Sequence, residues 1–324
     1  MKEELKSRCE KFVNNRDVIK NCFKWENANI VAVCALEACK KNVCLDELKL
    51  LECKKILEDA TGVFSEFRGM AKLPVICMLA MTEDSKALMD KAVEIHELLK
   101  LKFRNSQYLI LLAIRLANMI SVDEVNQYAD RGKTIYNLMK KEHPFLTSVE
   151  DNVFAVLLAF SQKADEELVA DMEECYRTMK KFSYDSNGMQ SLSHVFALAN
   201  GTPEDKCAKV IEIFNKFDEK GKKYGKTYEM VVLGSVSVMC DNIDEIIENV
   251  MEIDEYLSTV KGYTGLGIDK KTRLMHALML ATDGQTENDV VNTAAFTGTM
   301  SMIAAQNAAM CAVIASTAAI SVSN

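Results

Sequence analysis

Proline is scarce in this 324-residue chain, with three in all, and glycine occurs only thirteen times. Both residues interrupt helices, so their scarcity favours a helix-dominated chain. An excess of basic charge is also lacking: 39 Lys and Arg face 47 Asp and Glu, a formal net charge of −8. Broad binding to a phosphate backbone needs clustered Lys and Arg, so no nucleic-acid partner is expected. Basic patches such as residues 220–226 are short and fall in expected turns. Residues 1–16 are highly charged and contain no apolar core of a secretory leader. None of the eleven cysteines forms a Cys-x-x-Cys pair, and their number is odd. A reduced, cytoplasmic setting is the expectation, with most thiols serving as core filler. Cys34, Cys39 and Cys44 recur at intervals of five, a rotation of about 140° on one helix, which scatters the thiols. No metal and no cofactor is expected.

What the chain does contain is a recurrent pair of helical patterns. Over 145–184, Thr147-Ser148-Val149-Glu150 has the form of a capping box. The run Val153, Phe154, Val156, Leu157, Leu158 then reads as a helix buried on most sides. A second helix is expected from Asp165, with acidic residues in its first turn and Lys180 and Lys181 in its last, as the helix dipole favours. Its apolar stripe is Leu168, Met172, Cys175 and Met179. Landmarks at the ends of the apolar helices recur: Leu79-Ala80, Leu116-Ala117, Leu158-Ala159, Leu198-Ala199 and Leu280-Ala281, with Ser237-Val238 as a degenerate copy. Their spacing is roughly 40 residues, which suits HEAT-like stacking better than the stricter TPR unit. Start signals follow the landmarks: a capping box at Ser121-x-x-Glu124, and Thr202 ahead of Pro203.

The expected fold is therefore all-α: a HEAT-like α-solenoid of six or seven stacked helical hairpins, with a closed α/α toroid as the alternative. Residues 1–66 supply N-terminal helices and a divergent hairpin, Trp25–Lys40 with Asp46–Glu58. Gly62 is placed to end the preceding helix in a left-handed conformation. Residues 67–283 form the array, whose first aligned helix spans about 67–81 with Pro74 kinking it or delaying its start. Residues 284–324 form an Ala/Ser/Thr-rich tail, without charge from Val290 onward. That tail is long enough to span a bilayer. Its small residues, Gln306 and Asn307 point instead to a helix that covers the array or packs on a second copy.

Candidate site residues come from the same alignment. His194 and His276 occupy equivalent positions, where other repeats carry Val75, Leu112, Phe154 and Leu233, so buried core histidines are expected. One turn earlier lie Lys72, Asp151, Ser191 and Arg273, preceded by Glu150 and Gln190. These mark helix starts, which in stacked hairpins line one rim. Capping and solvation account for many such residues, yet mixed charge there also suits a peptide, an anion or a small polar molecule. Gly262–Gly267 lacks the order of a phosphate-binding loop and reads as a turn.

The runs Glu142-His143-Pro144-Phe145-Leu146-Thr147-Ser148, Met189-Gln190-Ser191-Leu192-Ser193-His194 and Arg273-Leu274-Met275-His276-Ala277 resemble an uncharacterised bacterial family, catalogued as a domain of unknown function and seen mainly in Firmicutes. Phe64-Ser65-x-Phe67-Arg68-Gly69 also resembles it, which adds Arg68 to the candidates. The resemblance implies a bacterial cytoplasmic protein and brings no catalytic residue. The leading functional expectation is a scaffold that binds a protein or peptide on its concave face. The alternatives are a toroidal enzyme using Glu150, Asp151, His194 and His276 as acids and bases, and a membrane-associated protein held by its tail.

Overall fold

A computed structural model describes residues 1–240, 242–264 and 268–282. Fourteen α-helices run through them: α1 (Glu3–Cys22), α2 (Ala28–Lys40), α3 (Glu47–Ala60), α4 (Lys72–Ala80), α5 (Ser85–Lys100), α6 (Gln107–Met119), α7 (Val125–Glu142), α8 (Asp151–Leu158), α9 (Asp165–Lys180), α10 (Ser186–Ala197), α11 (Pro203–Glu219), α12 (Glu229–Met239), α13 (Ile243–Thr259) and α14 (Lys270–Ala281). Two single 3-10 turns, Glu66–Arg68 and Val122–Glu124, complete the regular structure. The described residues contain no strand.

Two kinds of helix alternate. The odd-numbered helices bury one stripe: Leu168, Val169, Met172, Cys175 and Met179 on α9. The even-numbered ones are buried nearly all round, as α6 is from Tyr108 to Ala117 and α10 from Gly188 to Ala197. An apolar face of that width needs neighbours on every side. The odd helices therefore form an outer layer and the even ones an inner layer, in seven pairs.

Each outer helix packs on the next outer helix, and each inner helix on the next inner one. The sequence of contacts then returns to its start, because α13 packs on α1 and α14 on α2. The array is a closed ring of the toroidal kind. Arg8 on α1 donates to the Leu280 carbonyl of α14 at 2.9 Å, and Lys2 meets Glu245 of α13 at 3.0 Å. The ring is narrow. Arg115 of α6 pairs with Glu37 of α2, past the intervening α4.

The close antiparallel pairs are α1/α2, α3/α4 and so on to α13/α14. This shifts the expected hairpins by one helix: α8, expected to pair with α9, packs on α7, and α9 packs on α10. Between α7 and α8 a glycine sets the approach. Gly132 brings α7 so close to α8 that an added Cβ would sit 2.9 Å from the Val156 Cα. Likewise α2 pairs with α1 rather than with α3. The landmarks fall as expected, within about two residues of the ends of the inner helices. Chain reversals there take three to six residues, while the loops from outer to inner helices take five to eleven. All seven outer-to-inner loops lie at one rim, beside the starts of the inner helices.

Local signals were read with mixed success. The Ser121–Glu124 capping box is present, with the Ser121 amide donating to Glu124 Oε2 at 2.8 Å. Thr202 caps α11 through the Asp205 amide at 3.2 Å. Pro74 delays α4, which begins at Lys72. The box expected at Thr147 and Glu150 moves by one residue: the Ser148 amide donates to Asp151 Oδ2 at 2.6 Å, while the Thr147 hydroxyl donates back to the Met139 carbonyl at 3.2 Å. Gly62 does not take a left-handed conformation, and α3 ends in extended backbone at Thr61. The uncharged tail lies outside the described residues.

Candidate functional site

The rim of outer-to-inner loops gathers the expected site residues in three separate groups. The largest group sits where α8, α10 and α12 begin. The last residue before α12, Tyr228, donates its hydroxyl to Glu150 Oε1 at 3.0 Å, reaching past α10. Gln190 Nε2 donates to the Thr147 hydroxyl at 3.1 Å. Asp151 Oδ1 faces His194 Nδ1 at 3.5 Å, with both side chains 2% exposed. Ser191 is buried on the same helix, and the His194 ring rests against Phe154 at 5.2 Å between centroids.

Burial dominates the titration of this group. It pushes the Asp151 carboxyl up to about 8, against the pull of the Ser148 amide, and nearby Glu150 adds to the rise. It also lowers His194 to about 3. Removing either side chain from water disfavours its charged form. The close approach reads as an ion pair by distance, yet burial holds both groups neutral at pH 7. We therefore describe it as a protonated carboxyl beside a neutral imidazole.

The second group is Arg68 and Lys72. Arg68 donates to the Glu58 and Thr61 carbonyls at 2.5 and 2.6 Å, closing the end of α3. Lys72 lies 3.7 Å from the Glu58 carboxylate. The third is Arg273, whose guanidinium meets Asp254 at 2.7 and 3.3 Å. Lys222 shares that carboxylate at 2.7 Å. Lys72 and Arg273 are thus paired with separate acids on different hairpins. His276 stands apart, fully buried, with Nδ1 2.7 Å from the Tyr263 hydroxyl. The two histidines are core residues, as their apolar equivalents implied. Among the described residues no three His, Cys, Asp or Glu side chains converge to hold a metal.

The sequence reading missed the most prominent feature of the rim. Trp25, Phe64, Phe145 and Tyr184 stand in four different outer-to-inner loops and are 98–100% exposed. Leu101 and Val63 protrude beside them at 74% and 73%. A usable signal was present: each aromatic falls in a polar break, where burial by a helix stripe is impossible. The same seven loops hold ten Lys and Arg against five Asp and Glu, opposite in sign to the chain as a whole.

Comparison with known proteins places this ring in a family. A model described as a protein of unknown function, DUF4003, matches residues 15–308. The chain belongs to the DUF4003 family. The uncharacterized protein YeaA of Bacillus subtilis (strain 168) is 24% identical over 286 residues, spanning 85% of this chain and 83% of YeaA. No solved structure matches. DUF4003 membership agrees with the resemblance seen in the motifs and assigns no chemistry. Arg68, Gln190, His194 and Arg273 are accounted for by packing and capping, so the exposed loop tips are the feature that structure leaves unexplained.

Proposed function

We propose that this DUF4003 protein is a non-catalytic cytoplasmic docking protein that binds a partner protein at the rim of outer-to-inner loops. The observation that carries the reading is the set of almost fully exposed aromatic tips: Trp25, Phe64, Phe145 and Tyr184. Water disfavours such surface, and large aromatic side chains are enriched among residues that dominate binding energy at interfaces. The tips come from separate hairpins, so an extended partner surface can touch several at once. The concave face expected to take a partner is here the inside of a narrow ring, where the inner helices are buried.

Acid–base catalysis is less well supported. A general base has to reach a substrate proton. Asp151 and His194 are 1% and 2% exposed and face each other, and His276 lies on another hairpin. Attachment to a membrane by the tail rests on residues outside those described; no described helix is long and apolar enough to cross a membrane.

The test replaces Trp25, Phe64, Phe145 and Tyr184 together with Ser and compares capture of proteins from the native host. The expected result is a stoichiometric partner held by the parent chain and lost from the variant, with the melting temperature unchanged. Equal capture by both would overturn the reading.

A further inference from the structure

Where the ring closes, a cavity of about 470 Å³ is lined by Arg16, Asp17, Lys20, Asn21, Lys24 and Lys261. Four cations and one carboxylate therefore share one hollow. The lining comes from both sides of the seam: α1 and the loop after it supply five residues, and the loop between α13 and α14 supplies Lys261. The volume is within the range of small-molecule sites.

The one carboxylate is already engaged. Arg16 donates to Asp17 Oδ1 from Nε at 3.0 Å and from Nη2 at 2.7 Å. The guanidinium is otherwise fixed, 8% exposed and 5.9 Å over the Tyr263 ring of the seventh hairpin. Asn21 gives an amide hydrogen to Glu47 Oε1 at 3.2 Å. Lys20, Lys24 and Lys261 are exposed and form no ion pair with any described residue. The negative end of the α1 dipole accounts for Lys20 and Lys24 in part. It does not account for Lys261, which another hairpin brings to the same hollow.

We propose that this cavity binds a phosphate-bearing anion, and that the bound anion ties the first hairpin to the seventh. Three lysines line the same hollow, and Arg16 adds a guanidinium positioned by Asp17 and Tyr263. Charge-assisted hydrogen bonds of this kind are short and strong, and phosphate oxygens accept several at once. Bridging matters because Lys20 and Lys24 belong to one side of the seam and Lys261 to the other. The same chemistry is offered by a free phosphoester or by the headgroup of an anionic lipid. Trp25, next in sequence to Lys24 and 99% exposed, stands on the same rim.

The experiment uses the full chain and two probes. Inorganic pyrophosphate is titrated by calorimetry. In parallel, the chain is sedimented with phosphatidylcholine vesicles with or without phosphatidylglycerol. The comparison is a Lys20→Gln, Lys24→Gln, Lys261→Gln variant, with Lys41→Gln, Lys55→Gln, Lys86→Gln as a charge-matched control. Saturable pyrophosphate binding that weakens about tenfold or more in the first variant alone supports a soluble ligand. Binding only to anionic vesicles, lost in the same variant, supports a lipid headgroup. In either case amide exchange over residues 260–264 should slow when the probe is bound. No binding of either probe, or equal loss in the control, overturns the site; binding without slower exchange overturns the tie across the seam. Partner capture through the aromatic tips is scored separately, so either idea fails without the other.

Discussion

Phe12 and Tyr263 hold their rings 6.3 Å apart, and through that contact the first helix meets the last hairpin. Tyr263 passes the connection on to His276 on α14. An open array would leave its first and last described hairpins facing solvent, whereas here each covers the other.

The seam should therefore behave as core. Phe12 is fully buried, so Phe12→Ala should cost about 3–5 kcal/mol in denaturant unfolding, as much as Phe154→Ala in the middle of the chain. A loss below about 0.5 kcal/mol at Phe12 would mean that the seam is not formed. Closure also predicts a compact particle, with a radius of gyration of about 20 Å for the described body by solution scattering.

The Glu37–Arg115 pair offers a second test. Both side chains are under 10% exposed, and the guanidinium holds the Glu37 carboxyl below its usual range against the opposing effect of burial. Arg115→Met strands a buried carboxylate and should cost about 3–5 kcal/mol. Adding Glu37→Met should restore most of that loss. If the double variant is no more stable than the single one, the pair is not a coupled unit.

Gly132 sets the approach of α7 to α8. Alanine is the better helix former by about 1 kcal/mol. Even so, its Cβ would press on the backbone of Val156 at 2.9 Å. Gly132→Ala should be net destabilising, by about 1–3 kcal/mol. A rise in melting temperature would show that the helices stand further apart.

Asp151 gives a pH prediction with a definite sign. Its folded pKa is raised to about 8, against about 3.9 for an unfolded aspartate. The stability it contributes is complete below about pH 4 and is lost as pH rises through 8. Asp151→Asn keeps a neutral side chain throughout. Between pH 5 and pH 8 the variant should gain on the parent by about 1.4 kcal/mol per unit. Effects of His194, lowered to about 3, cancel to first order in that difference. A gap between the two proteins that ignores pH would show that Asp151 is ionised in the fold.

Much of the architecture was written in periodicity. The all-round apolar runs of α6 and α8 and the striped α9 identified inner and outer helices, and Leu-Ala landmarks marked where five of the seven inner helices end. The pairing of α7 with α8 was not legible, because it depends on where Gly132 lets two backbones approach rather than on loop length. Closure was not legible either: Phe12 and Tyr263 look like ordinary core residues until they are placed together. For the site, alignment led to helix starts, where Lys72 and Arg273 turned out to hold Glu58 and Asp254. The exposed tips escaped notice because periodicity highlights residues that fold the chain, and Trp25 or Tyr184 contribute nothing to a stripe.

Arg8 reaching the Leu280 carbonyl means that the described helices begin and finish their circuit at nearly the same place. Such a body has no privileged starting hairpin. A gene rewired to open at the turn between α4 and α5, with a linker across the old junction, should encode the same fold. Losing one hairpin is a different matter: a rod would only grow shorter, while this ring would be left with a missing wedge.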